Sequence, residues 1–109
     1  MNVIDQIKLS LRWKRTSALL EAAAALIESD QRASEVEDSL SKFEEFLDHN
    51  ELECAMNMLE QASDSISAPA VVWIKLAEAA ASMELTQHEH EFLGRAIQGG
   101  ENTALNTSD

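Results

Sequence analysis

The stretch Ser34–Gln61, SEVEDSLSKFEEFLDHNELECAMNMLEQ, decides how this chain folds. Val36, Leu40, Phe43 and Leu47 recur at steps of four, three and four, which lays one apolar stripe along a helix. Glu37, Glu44 and Asp48 lie beside that stripe; Glu35, Asp38 and Glu45 lie further round. Asp48-His49-Asn50 reads as a tight turn. Ser34 with Glu37 and Asn50 with Glu53 have capping-box spacing, so one helix is expected to start at each. Leu52, Ala55, Met56 and Leu59 then form the inward stripe of the second helix. One side of this hairpin makes a core, and the other is a sheet of carboxylates with little to neutralise it.

The flanking sequence extends the same pattern. A chain of 109 residues is one domain, placed here at residues 1–98, and is long enough to bury a core without staples. Three Gly and one Pro among many Leu, Ala and Glu favour helix. Residues 1–15 are ambiguous. Ile7, Leu9, Leu11 and Trp13 alternate with polar residues as a strand does, while Ile4, Ile7 and Leu11 fit a helix. With no second strand to pair with, helix is favoured, as a separate basic amphipathic segment. Thr16 or Ser17 caps the next helix, which runs to about Glu28 with Leu19, Leu20, Ala23, Leu26 and Ile27 inward. Ser63-Asp64-Ser65 is a polar break. Pro69 fits the first turn of a fresh helix, with Val72, Trp73, Leu76, Ala77, Ala80 and Met83 buried. Thr86 and Glu89 begin the last, which carries Phe92, Leu93, Ala96 and Ile97. Gly99-Gly100 is expected to stop it, leaving 99–109 as a disordered tail. The expected fold class is all-α, a small antiparallel bundle of about five helices.

The formal charge is −12, and it is uneven. Residues 1–15 hold Lys8, Arg12, Lys14 and Arg15, four of the eight basic residues, against Asp5. Residues 28–64 hold twelve acids against Arg32 and Lys42. Such a field repels nucleic acid and anionic lipid and attracts basic proteins, although a negative surface also simply keeps a protein soluble. No apolar run reaches the length of a membrane span, and no secretory signal is expected. The single cysteine, Cys54, excludes an internal disulfide and suits a reducing compartment.

Signals for chemistry are weak. His88 and His90 are two apart and face different ways on a helix. Glu84 and His88 share a face, but no complete ligand set accompanies them or His49, and no metal or cofactor is expected. Cys54 with His49 as base would make a nucleophile, yet Glu51 and Glu53 oppose the thiolate, and its surroundings read as core packing. No glycine-rich phosphate loop is present. No catalytic residue is assigned. Trp73, Leu76 and Ala77, with Ala96 in register, resemble the start of a tetratricopeptide repeat, but the pattern fails at Ala80 and Glu89 and no second copy appears at a 34-residue period.

The hairpin Lys42-Phe43-Glu44-Glu45-Phe46-Leu47-Asp48-His49-Asn50-Glu51-Leu52, with Ala55 to Glu60 and then Trp73 to Ala80, resembles small acidic α-helical immunity proteins of bacterial contact-dependent inhibition and polymorphic toxin systems. The likeness covers about residues 34–84. Those proteins often carry an acidic turn of this kind between two helices, followed by a tryptophan-bearing helix. The resemblance implies a cytoplasmic inhibitor that binds one cognate toxin domain, often a nuclease such as an RNase. The charge argument stands beside it. A nuclease needs a basic cleft for phosphates, and a rigid face of carboxylates can occupy that cleft. The expected toxin-binding face is Glu37, Glu44, Glu45, Asp48, Glu51 and Glu53, with His49 and Asn50 at its rim. The rival reading is a helical adaptor or secretion chaperone for another basic protein. Neither nucleic acid nor membrane is an expected partner, and the oligomeric state stays open, a dimer included.

Overall fold

Helices joined by turns of three or four residues follow directly from where the apolar stripes break. The computed structural model describes the backbone of residues 3–108 and the side chains of residues 3–98. Its elements are α1 (Val3–Glu28), a short 3-10 turn (Ala33–Val36), α2 (Glu37–Asp48), α3 (Leu52–Ser65), α4 (Ala70–Ser82) and α5 (Thr86–Ser108). No strand occurs among the described residues. The expected stop at Gly99-Gly100 is not seen: α5 runs through both glycines to Ser108, since glycine inside a helix costs only about 1 kcal/mol. The expected disordered tail at 99–109 falls in the stretch whose side chains lie outside those described.

Helices α2 and α3 form one hairpin and α4 and α5 a second. Helix α1 lies across α3 and α4. One core joins them: Leu20, Ala23 and Ile27 from α1, Phe43 from α2, Ala55, Met56 and Leu59 from α3, Val72, Trp73 and Leu76 from α4, and Phe92 from α5. The inward stripes of α3 and α4 are as their spacing predicts, except that Met83 is half-buried and caps α4 rather than lying within it. Leu40 and Leu47 are only partly covered. Of the apolar residues on α5, Phe92 and Ala96 are buried and Leu93 and Ile97 are exposed. The face of α5 toward α4 is already filled by Phe92 and Ala96, and a neighbour one position on points some 100° away.

Three turns share one device. Asn50, Ser67 and Glu84 take left-handed φ values of 58, 49 and 60°. The Asn50 N–H donates to the Leu47 carbonyl at 3.0 Å and the Glu51 N–H to Phe46 at 2.9 Å. Ser67 and Ala68 repeat this onto Asp64 and Ser63, and Glu84 and Leu85 onto Ala81 and Ala80. This paired closure satisfies the last carbonyls of a helix and reverses the chain within a few residues. The three positions are 17 apart (67 − 50 and 84 − 67), so a two-helix unit spans 34 residues, tetratricopeptide length, without a repeated sequence. The placement of α1 against both hairpins closes the stack from one side.

Local expectations fail where a polar residue has a different partner. Residues 3–15 are no separate segment: α1 runs unbroken through Thr16 and Ser17. Thr16 is fully buried, and its hydroxyl donates to the Arg12 carbonyl at 2.9 Å, so it ends nothing. Ser34 and Glu37 form no capping box; Ser34 lies inside the 3-10 turn, and α2 has no side-chain cap. Asn50 does not cap α3, because its left-handed backbone is already closing α2. Ser63 does not break α3. It is buried, and its hydroxyl donates to the Leu59 carbonyl at 2.7 Å.

Candidate functional site

The expected binding residues sit on α2, on the turn after it and on the start of α3. All eight of them, Glu37, Glu44, Glu45, Asp48, His49, Asn50, Glu51 and Glu53, are exposed. The helical period sorts them. Glu37, Glu44 and Asp48 share one edge of α2, because steps of seven and four return to the same side. Glu45 lies about a quarter turn further round, and Glu53 is carried by α3. The face is therefore two adjoining patches rather than one plane.

The edge with Glu44 and Asp48 borders a groove of about 350 Å³ between α1 and α2. Ala24, Ala25, Phe43 and Leu47 line it as apolar groups, and Glu21, Glu28, Glu44 and Asp48 supply carboxylates. Among the described residues none of these four acids is in an ion pair. Four unneutralised carboxylates around an apolar lining match a basic side chain with an aliphatic stem, or an apolar helix edge flanked by cations.

Glu21 and Glu28 were absent from the expected face. They belong to a helix whose sequence reads as apolar packing, and only the fold sets them opposite α2. Their spacing of seven on α1 is the one signal that could have placed them together.

The turn is held firmly. The His49 ring Nδ1 lies 2.8 Å from the Glu45 carbonyl, so the protonated ring donates there. That bond holds the imidazole pKa above its ordinary 6.5, and the carboxylates of Glu51, Asp48 and Glu45 add to it. A cation at a helix C-terminus is also favoured by the helix dipole. Asn50 is turned toward α1, lining grooves with Trp13 and with Leu9, Leu52 and Met83. It is a turn residue beside the acidic edge more than part of that edge.

Two other features were weighed for chemistry. Cys54 is exposed on α3, not packed into the core as its neighbours suggested, because the inward positions are taken by Ala55 and Met56. Among the described residues no three His, Cys, Asp or Glu side chains are close enough to hold a metal ion. No helix among them is long and apolar enough to cross a membrane. At the far end of the bundle, the Arg95 guanidinium stacks 4.4 Å above the Trp73 ring and pairs with Asp64, tying α3, α4 and α5 together. No family model, curated protein or solved structure matches the chain.

Proposed function

We propose that this chain is a non-catalytic inhibitor of the immunity-protein kind, which neutralises a basic toxin domain, a nuclease above all, by seating carboxylates in its phosphate-binding cleft. The observation that carries the reading is the α1–α2 groove, with four unpaired carboxylates around an apolar lining, continued by the exposed acids of the turn. Complementary fields raise the encounter rate and select against acidic partners, while the apolar lining supplies desolvated contact. The α2–α3 turn is fixed by its paired backbone bonds, so little ordering is left for the moment of binding. The partner is a protein. A body of formal charge −12 repels nucleic acid.

The test is direct binding of the purified chain to the basic toxin domain encoded beside its gene, measured with the Glu44→Lys, Glu45→Lys, Asp48→Lys variant alongside. The reading expects tight binding by the parent, inhibition of the toxin, and loss of at least about 100-fold in the variant. Unchanged affinity and unchanged salt dependence would remove this face from consideration.

A further inference from the structure

The α4–α5 hairpin has an uncovered apolar face. Among the described residues, all the large apolar side chains that stand exposed are on α1, α4 or α5, and none is on the acidic α2 and α3. Val71 and Ile74 of α4 and Leu93 and Ile97 of α5 are 45, 41, 38 and 59% exposed. Arg95 marks the side of α5 toward α3, since it pairs with Asp64. Leu93 and Ile97 are each about 160° round the helix from it. Val71 and Ile74 are about 140° and 160° round α4 from the buried Leu76. The two helices run antiparallel about the turn at Glu84, so Val71 is level with Ile97 and Ile74 with Leu93. The four side chains thus form one patch, facing away from the α2–α3 hairpin. In a stack of helix pairs the end face has to be polar to stay in water. This one is apolar, and the helical period turns Lys75 and Arg95 off it.

We propose that the same face of a second copy covers it. A basic toxin or an anionic lipid surface would look for charge here, and the centre of the patch has none. A chain of formal charge −12 can meet its own copy only where carboxylates are sparse. The two-fold axis crosses α4 at the level of Val72 and Trp73, and the helices of the two copies run antiparallel. Val71 then meets Ile74 of the second copy and Leu93 meets Ile97, each contact occurring twice, as an isologous pair requires. The same register sets Glu78 just beyond the start of α4 in the second copy. That helix start has no side-chain cap, so its free N–H groups favour a carboxylate there.

Two hairpins laid face to face bury on the order of 1,000 Å² in total, the lower edge of a stable interface. The dimer is therefore reversible and concentration-dependent. The α1–α2 groove stays open in both copies, because Glu21 and Glu28 lie on the flank of α1 away from Thr16, which bonds to α4.

Sedimentation of the chain alone tests the pairing without any toxin. Half of the chains should be dimeric near about 100 µM. Raising salt to about 0.5 M should hold or strengthen the pair, by screening the two negative bodies. Ile74→Glu with Leu93→Glu should be monomeric at that concentration with unchanged helical circular dichroism. Ile4→Ser with Ile7→Ser should dimerise as the parent does. Glu44→Lys with Asp48→Lys should dimerise at least as well, which separates this result from the toxin reading. In a Cys54→Ser background, a short bismaleimide should join Val71→Cys chains to Ile74→Cys chains faster than to Ile97→Cys chains. A monomer at every concentration, a dimer indifferent to Ile74→Glu with Leu93→Glu, a dimer lost with Ile4→Ser and Ile7→Ser, or faster linkage of positions 71 and 97 would overturn the proposal. So would a monomer that sediments with phosphatidylcholine vesicles through this face.

Discussion

Thr16 in the middle of α1 and Ser82 at the end of α4 share a hydrogen bond of 2.6 Å between their hydroxyls. With the Thr16 proton given to the Arg12 carbonyl, Ser82 donates and Thr16 accepts. The pair fixes the register of α1 on α4, and so decides which part of α1 lies beside α2 and which stays open. Thr16→Val keeps the shape and removes the bond. It should lower stability by about 1 kcal/mol, read as a lower urea midpoint with an unchanged slope. An unchanged midpoint would show that the bond adds nothing.

Ser67 and Glu84 hold left-handed backbone without being glycine. A side chain there costs roughly 1–2 kcal/mol, and glycine avoids that while losing more freedom on folding. Ser67→Gly should therefore stabilise by about 0.5 kcal/mol, and Ser67→Val should destabilise by at least about 1 kcal/mol. Thermal unfolding of the two variants checks the sign of each.

Phe92 is 1% exposed and lies 5.9 Å from Trp73, centroid to centroid, tilted against the ring that Arg95 covers. Phe92→Ala should cost about 3–5 kcal/mol, a large share of the margin of a domain this size. Denaturant unfolding would show it. A loss under about 1 kcal/mol would mean that the α4–α5 contact closes over the cavity.

His49 gives the chain a pH dependence. Its folded-state pKa is raised above 6.5 by the Glu45 carbonyl and then by neighbouring carboxylates. The stabilisation is thus complete below the unfolded value and is lost as pH rises through the folded one. Stability should decline with rising pH across that window, and His49→Gln should flatten the decline. Parent and variant curves of equal slope would contradict this.

The helical class was legible because Leu52, Ala55, Met56 and Leu59, and again Val72, Trp73, Leu76 and Ala77, keep one helical face through their elements. Helix ends were less so. Thr16, Ser34, Asn50 and Ser63 look alike in sequence, as polar residues beside apolar runs. The fold gives one a buried partner across the bundle, puts one in a 3-10 turn, sets one in a left-handed turn and bonds one to its own helix. The α2 half of the acidic groove could be read from a local stripe. The α1 half could not, because Glu21 and Glu28 gain meaning only from tertiary neighbours.

The central claim is that a particular acidic face, and not acidity in general, meets a basic toxin domain. Two variants with the same change in net charge separate these: Glu44→Lys with Asp48→Lys on α2, and Glu89→Lys with Glu91→Lys on α5. Titrated against the toxin domain at fixed salt, the α2 pair should lose about 100-fold in affinity, and the α5 pair less than about threefold. Equal losses from both pairs would contradict the account.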